Sequence, residues 1–120
     1  MHELSIAISI VETVEESLPT PESRATVINL RIGAMAGVFR DALLFGFEIA
    51  AEGTRSAGAR LEIEDLPAII RCDDCGIDTV LGIPPVFRCG GCGELTGKLL
   101  QGKELEVLSI EVEDGKSENS

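Results

Sequence analysis

Cys72-Asp73-Asp74-Cys75-Gly76 and Cys89-Gly90-Gly91-Cys92-Gly93 form two Cys-x-x-Cys-Gly knuckles, with thirteen residues between Cys75 and Cys89. Two residues between cysteines let both sulfurs of a tight turn face one ion. The glycine after the second cysteine permits the positive φ that such a turn needs. Two turns of this kind supply four thiolates, the donor set of a closed structural zinc site with no open position for substrate. The same spacing also suits a one-iron electron-transfer site or two disulfides, and a reducing compartment weighs against the disulfides. Four thiolates around one divalent ion add two negative charges to a chain of formal charge -11. Arg71 and Arg88, each immediately before a first cysteine, are placed to offset them.

Around the knuckles, residues 68 to 100 carry eight Gly and Pro residues and only short extended pieces such as Val86 to Arg88. A stretch so poor in packing residues is expected to be a small module held by metal rather than by a core. On its amino-terminal side, Leu4, Ile8, Val11 and Leu18, with Ala7 and Val14, follow helical spacing until Pro19 and Pro21 end the pattern. Ala25 to Ile32 alternates as a strand does, with Thr26, Ile28, Leu30 and Ile32 on one face. Asp41 to Ala51 returns to helical spacing through Leu43, Leu44, Phe47 and Ala51, with Gly46 as an unfavourable residue inside it. Gly53 and Gly58 bracket a polar turn, and Arg60 to Asp65 alternates again with Leu61 and Ile63 inward. Beyond the module, Glu104 to Glu113 alternates with a change of parity, the mark of a bulge or of a strand serving two layers.

This order predicts an α+β fold: two helices packed on a three-stranded sheet, with a four-cysteine zinc-ribbon module inserted between roughly Pro67 and Gly102. The expected division is residues 1-67 plus 102-113 as one α/β domain, 68-101 as the zinc-binding module, and 114-120 as a disordered tail without apolar residues.

Composition narrows the function. With 44% hydrophobic and 26% charged residues the chain has ordinary globular character and no apolar run of spanning length, so no membrane association is expected. The opening MHELSIAISIVETVEE has no basic residue before its apolar ones, unlike a signal or transit peptide, and a cytoplasmic location is expected. Ten basic against twenty-one acidic side chains oppose binding to a phosphate backbone, and Trp and Tyr, the usual base-stacking residues, are absent. No nucleic-acid partner is expected.

His2 is the only histidine and follows Met1 directly. An amino-terminal X-His dipeptide offers the α-amine, the backbone nitrogen of residue 2 and imidazole Nδ1 to one metal, closing a five- and a six-membered chelate ring. A fourth donor, the amide or carboxylate of Glu3, would complete a square plane, the geometry favoured by Ni(II) and Cu(II). The plainer alternative is that His2 merely starts a helix whose dipole Glu3 complements.

Taken together, MHELS at the amino terminus, RIGAMAGV, LLFGFEIAAEGT, LEIEDLP, both knuckles and the closing GKELEVLSIEVE resemble the HypA family of nickel metallochaperones over residues 1 to about 112. The resemblance implies a protein without catalytic turnover. It implies Ni(II) as cargo at His2 and Glu3, and structural zinc at Cys72, Cys75, Cys89 and Cys92. Implied partners are the GTPase HypB, the [NiFe]-hydrogenase large-subunit precursor and, in some organisms, urease maturation proteins, with the chain acting as a monomer or homodimer. Two positions depart from the family pattern. Gly90 stands where many relatives have proline, and Phe39 where an acidic residue is common, with Asp41 two positions later.

Other classes fit less well. A zinc-ribbon adaptor for nucleic acid conflicts with the charge. A one-iron redox protein would share the knuckles but leave His2 unexplained. An enzyme lacks a histidine to serve a nucleophile. The pair Asp73 and Asp74, and the group Glu62, Glu64 and Asp65, read as solvated loop and outward strand face.

Overall fold

The computed structural model describes residues 2 to 114, with the side chain of His2 outside the description. Met1 and, apart from Asp114, the tail expected over 114-120 therefore lie outside the described residues. The chain forms two compact units. One contains the chain up to Leu30, Val38–Ile63 and the chain from Val107 on. The other contains Arg31–Gly37 and Glu64–Glu106.

In the first unit, α1 (His2–Ser17) and α2 (Arg40–Ala51) pack on each other. The buried stripe of α1 is Glu3, Ala7, Ile10, Val11 and Val14, continued by Leu18. This corrects the expected stripe, because Leu4 and Ile8 are exposed while Ile10 is buried. Ala7 lies fully inside, and Glu3, one turn earlier, takes the place assigned to Leu4. α2 buries Leu43, Gly46, Phe47 and Ala51, with Gly46 rather than Leu44 in the contact stripe. A Cβ on Gly46 would lie 3.4 Å from the Leu4 Cα and 3.6 Å from the Glu3 carbonyl oxygen. The glycine that weakens the helix on propensity is thus where the two helix backbones come close.

β1 (Arg24–Gly33) is the middle strand of a sheet that also holds β2 (Arg60–Leu66) and β6 (Leu105–Glu113), in the order β2-β1-β6. Leu61 and Ile63 are half-buried in alternation with exposed Glu62 and Glu64. The expected alternation of β1 holds from Ile28 through Leu30 to Ile32, but Ala25 and Val27 are buried and Thr26 is exposed. The Thr26 hydroxyl donates to the Glu111 carbonyl of the neighbouring β6 (3.1 Å), and both faces of the middle strand are buried at Val27 and Ile28. In β6 the half-buried residues are Val107 and Ile110, three apart, whereas Leu105, Leu108 and Val112 are exposed. The polar turn after α2 has positive φ at Gly53 (76°) and Gly58 (81°).

The second unit has its own sheet, which the spacing did not predict. β3 (Ile69–Arg71) lies between β4 (Asp78–Val80) and β5 (Leu99–Gln101). β3 and β4 are antiparallel with Ile69 opposite Val80 and Arg71 opposite Asp78. The expected extended piece at Val86 to Arg88 reduces to one isolated bridge, Arg88 to Leu95. Gly33 meets Gly102 so closely that a Cβ there would overlap the Gly102 carbonyl. Their neighbours are joined by Gly33 N–H to Glu104 carbonyl (2.8 Å) and Met35 N–H to Gly102 carbonyl (2.6 Å).

Candidate metal centre

β3 runs directly into the first knuckle, and the two knuckles repeat one hydrogen-bond pattern. In the first, the Cys72 carbonyl accepts from Gly76 N–H (2.7 Å) and Cys72 N–H donates to the Ile77 carbonyl (3.0 Å). In the second, the Cys89 carbonyl accepts from Gly93 N–H (3.0 Å) and Cys89 N–H donates to the Glu94 carbonyl (2.8 Å). Gly76 and Gly93 take the positive φ required by these turns, 72° and 79°.

The four sulfurs of Cys72, Cys75, Cys89 and Cys92 all lie within 4.8 Å of one another. Cys72 and Cys89 are buried, Cys75 and Cys92 exposed, and none is in a disulfide. A tetrahedral ion with metal to sulfur bonds of about 2.3 Å separates its sulfurs by about 3.8 Å. The Cys72 and Cys92 Sγ atoms stand 3.7 Å apart, far beyond a disulfide bond. Spacing and donor set therefore fit one soft, tetrahedral cation.

Electrostatics point the same way. The backbone N–H groups of Cys92 and Gly91 lower the Cys89 thiol to about 7. The neighbouring sulfur of Cys92, then burial and the other thiols, push Cys75 up to about 12. For Cys72, the Cys75 N–H lowers the value, but burial and the thiols of Cys92 and Cys89 outweigh it, leaving a net rise. Four thiolates cannot share so small a volume unless a cation neutralises them. Arg71 and Arg88 have partners of their own: Arg71 Nε bonds Asp78 (2.8 Å), and Arg88 Nη1 donates to the Gly93 carbonyl (2.6 Å).

Gly90 donates its N–H to Thr79 Oγ1 (3.0 Å), tying the second knuckle to β4. A proline at this position would lack that donor. Thr79 carried no signal in the sequence, because its role arises only when β4 lies beside the second knuckle.

Glu3 is in the other unit. It is 6% exposed, and its Oε2 accepts from the N–H of Phe39, the residue preceding α2 (3.0 Å). That bond, first among several contributions, holds the Glu3 carboxyl below the ordinary carboxylate range. His2 is the first residue of α1. Arg55, unremarked in the sequence, reaches from the turn after α2 to the end of α1. Its Nη2 and Nε bond Glu15 Oε1 at 2.7 and 2.9 Å, and its backbone N–H bonds Glu15 Oε2 at 2.9 Å.

A helical unit with a histidine at its first turn, joined to a unit with a closed four-sulfur cluster, defines a metal-binding α+β protein rather than a catalytic site. The family described as "Hydrogenase/urease nickel incorporation, metallochaperone, hypA" matches residues 1–112. The chain is 50% identical over 117 residues to the hydrogenase maturation factor HypA of Roseiflexus sp. (strain RS-1), covering 95% of this chain and 94% of that one. It is 46% identical over 112 residues to HypA of Chloroflexus aurantiacus, covering 92% and 98%. Its fold is similar to the solution structure of the Ni metallochaperone HypA from Helicobacter pylori, with a TM-score of 0.63 at 22% identity, covering 91% of this chain and 95% of that one. The chain belongs to the HypA family, a non-enzymatic family of metallochaperones involved in nickel incorporation into hydrogenase and urease. No helix among the described residues is long and apolar enough to cross a membrane.

Proposed function

We propose that this chain binds Ni(II) at its amino terminus and delivers it in the cytoplasm to the [NiFe]-hydrogenase large-subunit precursor, working with the GTPase HypB. Urease maturation proteins are a second client. The nickel donors are the α-amine, the residue 2 amide and the His2 imidazole, with Glu3 contributing the fourth. Zinc at Cys72, Cys75, Cys89 and Cys92 is structural, so the helical unit handles cargo and the cysteine unit holds its shape through zinc. The observation that carries the reading is the position of His2, the only histidine, at the first residue of α1 in a chain of this family.

The test is calorimetric titration of Ni(II) into wild-type protein and His2→Ala, with metal analysis of both. His2→Ala should lose high-affinity nickel binding and retain one zinc per chain. Undiminished nickel affinity in His2→Ala would refute the amino-terminal site. Iron in place of zinc in the native protein would refute the structural-zinc assignment.

A further inference from the structure

Glu3 and Gly46 are both unusual where they stand. A carboxylate fills a core position of α1, and a glycine sits in the buried stripe of α2. Both occur at the contact that fixes where the first turn of α1 lies.

The first contact is a hydrogen bond. The helix following Phe39 begins with the Leu43 N–H bonded to the Phe39 carbonyl (2.9 Å), and Phe39 makes no side-chain capping bond. Its backbone N–H is instead taken by the carboxylate of Glu3 from the other helix. Glu3 thus does for α2 what the third residue of a capping box does within one helix, and it puts a negative charge at the positive end of the α2 dipole. The second contact is steric. The Gly46 Cβ position lies in van der Waals contact with the Leu4 Cα (3.4 Å), the Glu3 carbonyl and the Leu4 nitrogen (both 3.6 Å). There is space for one methyl group and little beyond it. Hydrogen bond and notch hold the same two residues, Glu3 and Leu4, immediately after His2.

We propose that the Phe39 N–H and the notch at Gly46 form a two-point seat on α2 that positions the first turn of α1, and with it the amino-terminal nickel donors. This inference rests on the nickel site proposed above. The Glu3 carboxylate acts as a latch, its contribution to nickel coming through the backbone. Gly46 and the Phe39 amide are positioning groups that contain no nickel donor. Because square-planar chelation needs its donors in one plane, displacing this turn weakens nickel without touching a ligand.

The experiment compares substitutions that differ only in the seat. Phe39 is 75% exposed, so Phe39→Ala removes no core packing and keeps the N–H. Phe39→Pro removes that N–H as well, at a φ of -88° close to proline's own and with the extended backbone at Val38 that proline favours as the added constraint. Gly46→Ala fits the notch and Gly46→Leu does not. Each variant is titrated with Ni(II) by calorimetry, the d-d absorption of its nickel complex is recorded, and zinc and helix content are measured. Phe39→Ala and Gly46→Ala should remain within about twofold of wild type, as conservative changes away from the donors do. Phe39→Pro should lose about tenfold in affinity, the scale of one charge-assisted hydrogen bond. Gly46→Leu should lose at least as much, with zinc content kept and the nickel spectrum altered.

Glu3→Gln retains an oxygen for the Phe39 N–H and should bind nickel far better than Glu3→Ala. Equal loss in both would make the carboxylate a ligand and overturn the latch. Should Gly46→Leu fail to fold, the Phe39→Pro and Phe39→Ala pair decides alone, and equal affinity in those two overturns the seat. His2→Ala separates the two readings. If it abolishes nickel binding while the seat variants bind normally, only the seat is wrong. If it leaves binding intact, the amino-terminal site itself is wrong.

Discussion

The two units of this chain are held by different physics. In the helical unit, Ala7, Ile10, Val11, Val14, Leu18, Ala25, Val27, Ile28, Leu30, Leu43, Phe47 and Ala51 are buried. In the cysteine unit the buried apolar residues other than cysteine are Ile32, Ala68 and Ile70. The first has a core of ordinary composition. The second has too little apolar burial to offset the conformational entropy of ordering its loops, and it concentrates cohesion in four sulfurs and the repeated turns around them. Under the function proposed above, the division would let a closed zinc site keep its ion while a terminal, chelating site exchanges its own.

The strongest way to break this comparison is to take one sulfur from the second unit. Cys89→Ala should lose zinc and abolish amide-exchange protection across residues 68 to 100, while α1 and α2 keep theirs. Uniform loss across both units would show that they fold as one.

The converse is a cavity in the first unit. Leu30 is 1% exposed, and Leu30→Ala should cost about 3 kcal/mol in denaturant unfolding with zinc content unchanged. A destabilised variant that also releases zinc would contradict the separation.

A smaller effect sharpens the picture of the helical unit. Arg55→Ala removes the guanidinium bonds to Glu15 and to the Thr20 carbonyl but keeps the backbone N–H bond to Glu15. It should cost about 1 kcal/mol after solvent screening of a partly exposed pair, and its pH signature is the guanidinium's share only. The same contact has a pH signature. The Arg55 backbone N–H first, and its guanidinium second, lower the Glu15 pKa in the folded protein. The stabilisation is therefore present above the unfolded carboxylate value and is lost as pH falls through the folded one. Wild type minus Arg55→Ala stability should shrink with acidification below about pH 4.3, and a difference that grows there would give the wrong sign. Smallest of all, Arg71→Ala breaks an exposed ion pair with Asp78, and should leave the thermal midpoint and zinc content nearly unchanged.

Much of the candidate site was legible because its information is local. Two residues between cysteines and a glycine after each pair determine a turn whatever surrounds it, and Gly76 and Gly93 take the positive φ that this requires. The order of helices and strands flanking the module could also be read from period alone. What period could not supply was the contact partner. In α1, Leu4 and Ile8 satisfy helical spacing as well as Ile10 does, yet Ile10 is buried and the other two face out. Glu3 reads as a charge for the dipole of its own helix, in whose first turn it does stand, but what the sequence did not show is that its carboxylate also caps the other one.

By itself, then, the sequence determined the four-cysteine cluster, the order of helices and strands outside the cysteine module, and the family, because each depends on residues close in the chain or on the pattern of the whole. Only the tertiary structure decided which face of α1 is inside, why glycine stands at positions 33 and 46, and what Glu3, Arg55 and Thr79 bond to. Those answers depend on backbones approaching across 36 residues for Glu3 and Phe39, or 40 for Glu15 and Arg55. A close approach between distant segments leaves no period in either segment, only a small or charged residue whose reason appears when its partner is in place.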